Sequence, residues 1–92
     1  MICVDPLTNT EQTDKWKYGP KCHMFSDTGD LDSLHAFAKT IGLNRDWFQQ
    51  TKYPHYDLTE AVRKYAVRNG AMEVGRRHII QTLGGKSDGG NL

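Results

Sequence analysis

Short apolar runs separated by clusters of Asp, Asn, Gly and Pro divide this chain into a few elements. Ile2-Cys3-Val4 is a β-favouring run that stops at Asp5-Pro6, because proline cannot donate to a continuing ladder. Residues 6 to 21 are rich in Thr, Asn, Asp and Lys and reach Gly19-Pro20 near their end, which predicts a long mobile loop interrupted by Trp16 and Tyr18. Lys21 to Phe25 resumes an extended pattern. Ser26-Asp27-Thr28-Gly29-Asp30 then supplies turn and N-cap residues, and Leu31, Leu34, Ala38 and Ile41 recur at helical spacing before Gly42, which predicts a first helix starting near Asp30.

Asn44 to Gln50 predicts a short turn or helix presenting Trp47 and Phe48, both expected to pack in the core, and Pro54 pushes Tyr53 toward extended geometry. Asp57-Leu58-Thr59-Glu60 has the form of a capping box. It leads into a helix whose buried face is expected to hold Leu58, Ala61, Val62, Tyr65 and Ala66, closed by Asn69-Gly70. Ala71 to Val74 alternates as a third short strand does, and Ile79, Ile80 and Leu83 predict a last helical turn or two. The glycine-rich end from Gly84 offers almost nothing to bury. The expected organisation is one globular α+β domain over residues 1–83, with about three short strands packed against two main helices, and a disordered tail over 84–92.

Composition narrows the function classes. In 92 residues only one core is affordable, and 37% apolar with 25% charged residues fits a polar globular protein. A net charge of +1 gives no long-range field for nucleic acid or an anionic membrane, so nucleic-acid binding would need a local patch. The triad Arg76-Arg77-His78 is too small to define one. No long apolar run or basic leader occurs, which predicts a cytoplasmic protein with no membrane partner. Cys3 and Cys22 are expected to be buried, reduced thiols.

The series Val4-Asp5, Cys22-His23-Met24 with Asp27, Leu34-His35-Ala36-Phe37-Ala38, Ile41-Gly42-Leu43 and Trp47-Phe48-Gln49 continues through Pro54-His55-Tyr56-Asp57, Arg63, Ala66 and Gly70-Ala71-Met72-Glu73-Val74. In this order it resembles the family known as domain of unknown function 4031, found in bacteria and their viruses. The resemblance implies kinship without implying a function; an accessory protein of a bacterium or phage is the expectation placed beside it.

Candidate chemistry rests on His23, His35, His55 and Tyr56 beside Arg45, Trp47, Gln49 and Arg63. These residues fit a pocket for a small polar, nucleotide-like ligand, with aromatic rings stacking on a planar base and guanidinium and imidazole groups holding its polar atoms. A metal-dependent hydrolase or nuclease is the alternative, with Asp5, Asp27 and Asp57 as ligands of a divalent ion and a histidine as general base; Asp5 and Asp27 would share the carboxyl edge of the sheet if their strands ran parallel. Asp57 has two competing roles, as a helix cap or as the same-side neighbour of His55 in an extended strand. Outside that alternative no cofactor is required. A protein-interaction adaptor and a homodimer are further expectations for so small a domain.

Overall fold

A computed structural model describes residues 1–8 and 19–81. Strands β1 (Ile2–Val4), β2 (Lys21–Ser26), β3 (Phe48–Gln49), β4 (His55–Thr59) and β5 (Met72–Glu73) form one sheet in the order β3-β4-β2-β1-β5. Helices α1 (Leu31–Thr40) and α2 (Glu60–Arg68) complete an α+β domain, and a 3-10 turn, Arg45–Trp47, leads into β3. β1 and β2, the pair expected to place Asp5 and Asp27 at one sheet edge, are antiparallel; only β5 joins in parallel, against β1. The sheet has two strands more than expected because β3 and β4 close it on one side.

Local chemistry explains most boundaries. Asp30 caps α1 by accepting from the Ser33 amide at 3.1 Å, and Gly42, at φ 86°, takes the left-handed turn that ends it. For α2 the cap is Thr59, whose hydroxyl accepts from Val62 N–H at 3.3 Å. The capping-box reading of Asp57 therefore gives way to its alternative. Asp57 stays in β4, where successive side chains alternate and send Tyr56 and Leu58 to one face, His55 and Asp57 to the other.

Both helices pack on the first of these faces. Val4, Cys22, Met24, Tyr56 and Leu58 of the sheet meet Leu34, Ala38 and Ile41 from α1 and Ala66 from α2. Because α2 approaches through the small Ala66, flanked by Val62 and Val67, the expected core residue Tyr65 is left 46% exposed and Ala61 also faces solvent. Trp47 is likewise outside, 53% exposed, since its neighbour Phe48 turns inward instead. On the opposite face Cys3 and Phe25 are covered by Ile79, from the helical backbone over 78–81, with Tyr53 and Val74 alongside.

Of the long loop, Thr8 exchanges backbone hydrogen bonds with Lys21 at 2.9 and 3.1 Å; Trp16, Tyr18 and the tail over 84–92 lie outside the described residues. Both cysteines are buried and free, and burial pushes the Cys22 thiol up to about 12. Among the described residues no helix is long and apolar enough to cross a membrane.

Candidate functional site

The second face of the sheet changes character along its length. Near Cys3 and Phe25 it is apolar and covered. Toward Lys21 it carries a polar row, because the register sets Asp57 of β4 opposite His23 of β2, and the Asp5 amide donates to the His23 carbonyl at 3.1 Å. His55, two residues before Asp57, lies diagonally from His23, and the two imidazole centroids are 4.6 Å apart at 85°.

Each histidine in this row is held through Nδ1. Asp5, 5% exposed, accepts from the His23 amide at 2.6 Å through Oδ1 and from ring Nδ1 at 2.7 Å through Oδ2. That hydrogen bond raises His23 above the ordinary histidine pKa, against burial, which lowers it, and with the added attraction of the Asp5 and Asp57 charges. The other nitrogen, Nε2, has no protein partner among the described residues. His55 Nδ1 lies 2.5 Å from the Tyr53 carbonyl. A carbonyl only accepts, so Nδ1 carries the proton and the lone pair of neutral His55 sits on Nε2.

In the neutral ring that lone pair faces another. His55 Nε2 is 3.3 Å from Asp57 Oδ1, a buried oxygen with no aligned hydrogen-bond donor among the described residues. Burial pushes the Asp57 carboxyl up, yet with His55 protonated at Nε2 its hydrogen bond and charge, together with Lys21 and His23, outweigh burial and hold the group below its ordinary range. The other Asp57 oxygen takes Lys21 Nζ at 3.5 Å. Two acceptors facing each other are stable only when a proton or a metal cation satisfies both, and one ligand atom each from His23, His55 and Asp57 lies within 4.8 Å of the others. Two imidazoles and a carboxylate are the donor set of zinc and non-haem iron sites. The carboxylate and carbonyl that fix the two rings through Nδ1 match the outer partners of metal-bound histidine.

Arg63, expected in the ligand pocket, is 16% exposed in its side chain. It donates through Nε to the Asp5 carbonyl at 2.8 Å and through Nη1 to Glu73 at 3.0 Å, clamping the end of β1 against α2 and β5. Asp27 does not join the row. Its amide pairs with the Met1 carbonyl, and its carboxylate bonds the Met1 amino group at 2.9 Å. It therefore sits just past the end of β2, four residues along the chain from His23 and about 13 Å away at the usual strand rise. The trio Asp5, Asp27 and Asp57 is not assembled. Cys3, Asp27 and His78 form a second close group near that end, but burial raises the Cys3 thiol and works against the thiolate a metal needs.

His35 lies on the helix-covered face, apart from the other two. Its Nδ1 is 2.8 Å from the Tyr56 hydroxyl, its ring meets Phe48 edge-on at 4.6 Å, and Arg45 stacks over Phe48 at 5.1 Å. Gln49 is an exposed residue of β3 paired in register with His55. The histidines, Tyr56 and Arg63 thus do not line one shared cavity: the sheet divides them. Lys21 joins the row without a motif to mark it; its two-residue spacing from His23 in an extended run is the signal of a shared face.

The family model for proteins of unknown function DUF4031 matches residues 2–86. The chain belongs to this family. No curated protein and no solved structure matches it. The match spans every residue of the polar row, while the family brings no assigned reaction.

Proposed function

We propose that the chain binds a divalent transition-metal ion through His23, His55 and Asp57 and acts as a metal-dependent hydrolase. The observation that carries this reading is the 3.3 Å approach of His55 Nε2 to the buried Asp57 Oδ1, with the His55 proton committed to the Tyr53 carbonyl on the far side of the ring. A cation there would be held by His55 Nε2 and Asp57 Oδ1, with the His23 imidazole, whose Nδ1 is taken by Asp5, supplying the third ligand through Nε2. Three protein ligands leave coordination positions for water and substrate, and a bound ion supplies Lewis acidity and an acidified water.

The chain's own residues do the positioning. Asp5 fixes the His23 ring and its tautomer, Arg63 fixes the end of β1 that carries Asp5, and Lys21 balances the charge of Asp57. Compared with the acid trio expected from sequence, two imidazoles replace Asp27 and Asp5 moves to a supporting place. That shift favours Zn²⁺, Mn²⁺ or Fe²⁺ over an all-oxygen magnesium site. Capture of a nucleotide-like ligand by all of the histidines together has less support, because His35 and Tyr56 face away from His23 and His55.

The test combines binding with turnover. Isothermal titration of metal-free protein with Zn²⁺ and Mn²⁺ is expected to show one saturable site, lost in Asp57→Ala. Metal-loaded protein is expected to hydrolyse an activated ester or phosphodiester such as bis(p-nitrophenyl) phosphate above the rate of free ion. Absence of a saturable site in correctly folded protein rules out the metal; a saturable site with no turnover across such a panel leaves a metal-binding protein and removes the hydrolase.

A further inference from the structure

The opposite side of the sheet carries a groove that does not depend on the metal reading. Between the second half of α1, the link to β3, and β4 lies a groove of about 450 Å³ lined by His35, Ala36, Lys39, Leu43, Arg45 and Tyr56. This volume is in the range of small-molecule sites. Its construction is asymmetric. Leu43, Ala36 and the aromatic ring of Tyr56 give it apolar wall, whereas its charged lining residues, Lys39 and Arg45, are both cations. No carboxylate lines it, and neither cation has an ion-pair partner among the described residues.

The floor is rigid. Tyr56 is 1% exposed, and its hydroxyl is satisfied by His35 Nδ1 at 2.8 Å. Phe48 packs against both rings, at 4.6 Å from the His35 centroid and 5.4 Å from that of Tyr56. Arg45 lies with its guanidinium carbon 5.1 Å over the Phe48 ring, a stacking that orients the group while leaving its N–H edges able to donate. Burial, and then the Arg45 charge, lower the His35 pKa, so at neutral pH the imidazole is an uncharged donor or acceptor and does not bring a third charge.

We propose that this groove binds a small planar molecule carrying a phosphate group, an aryl or nucleoside monophosphate, with Lys39 and Arg45 on the phosphate and the ring against Leu43 and Ala36. Two unpaired cations match a phosphate dianion, and Arg offers the fork of donors that phosphate geometry uses. The apolar wall distinguishes this ligand from inorganic phosphate, which has nothing to place there.

The experiment is titration of the full chain, held in EDTA so that metal plays no part, with AMP, phenyl phosphate, adenosine and inorganic phosphate, followed by ¹H–¹⁵N NMR. Either phosphate monoester is expected to bind saturably and to move the amides of His35, Lys39 and Arg45. Binding of AMP alone assigns the site to a nucleotide, and binding of both assigns it to aryl phosphates generally. Adenosine and inorganic phosphate are each expected to bind at least about tenfold more weakly. Lys39→Ala and Arg45→Ala, both at exposed positions, should each lower affinity about tenfold or more with no loss of fold by circular dichroism. His55→Ala should leave this binding unchanged, which separates its outcome from that of the metal site. The proposal is overturned if neither monoester saturates at millimolar concentration, or if both alanine variants bind as the wild type does.

Discussion

His23 and His35 are both half-buried imidazoles that use Nδ1 in a short hydrogen bond, and the sheet places them in opposite electrostatic settings. His23 faces a carboxylate, Asp5 at 2.7 Å, and its pKa rises; His35 faces a phenol, Tyr56 at 2.8 Å, and burial, then the Arg45 charge, lower its pKa. Residue type is the same in both. Burial, the partner and the neighbouring charge together decide whether folding favours the charged or the neutral ring. His55 belongs with His23, since its Nδ1 is occupied by a carbonyl and its Nε2 is turned toward Asp57.

Removing a proposed metal ligand breaks this contrast most severely. His55→Ala and Asp57→Ala are each expected to weaken Zn²⁺ or Mn²⁺ binding by more than about 100-fold, beyond the effect of losing a supporting partner, while His35→Ala leaves it unchanged; calorimetric titration checks all three. Asp5→Asn should come next, lowering metal affinity by about 10- to 100-fold because the His23 ring loses its anionic anchor. The same variant should return the His23 pKa toward its ordinary value, which an NMR pH titration reads directly.

Tyr56→Phe addresses the other side. Loss of the hydroxyl leaves His35 Nδ1 to solvent and should cost about 0.5–1.5 kcal/mol in chemical denaturation, with metal affinity unaltered. The smallest effect is on pH dependence in metal-free protein. Because folding raises the His23 pKa, its contribution is fully present below the unfolded value of about 6.5 and disappears as pH climbs through the higher folded value. Folding lowers the His35 pKa, so the native state loses stability as pH falls from above about 6.5 toward the folded value, where the unfolded chain binds the extra proton. Denaturation midpoints should therefore decline on both sides. His23→Gln should flatten the alkaline slope and His35→Phe the acid slope.

Part of this arrangement is legible in the residues themselves. Asp30 and Gly42 bracket α1 by cap chemistry and left-handed backbone, and both act as expected. β4 is harder to see, because His55 to Thr59 overlaps a stretch that also satisfies a helix-start motif. Local chemistry lets either Asp57 or Thr59 serve as cap, and burial of Tyr56 and Leu58 on the helix side decides for a strand ending in Thr59.

The candidate site follows from that one outcome. With β4 antiparallel to β2, His55 and Asp57 reach His23, while Asp27 ends at the far end of β2 against the Met1 amino group. Sequence spacing shows that two side chains share a strand face; it does not show which strands are neighbours or which way they run. Trp47 and Tyr65 illustrate the same limit, since the choice of Phe48 and Ala66 as inward residues depends on how closely each element approaches the sheet.

The central claim is that the polar row at His23, His55 and Asp57 is built to hold a metal and that the His35 side is not. Imidazole ¹⁵N NMR of the metal-free protein titrated with Zn²⁺ tests this ring by ring. The account predicts saturable shifts at Nε2 of both His23 and His55 near one equivalent, with His35 unmoved. Shifts confined to His35, or none at either ring of the row, would contradict it.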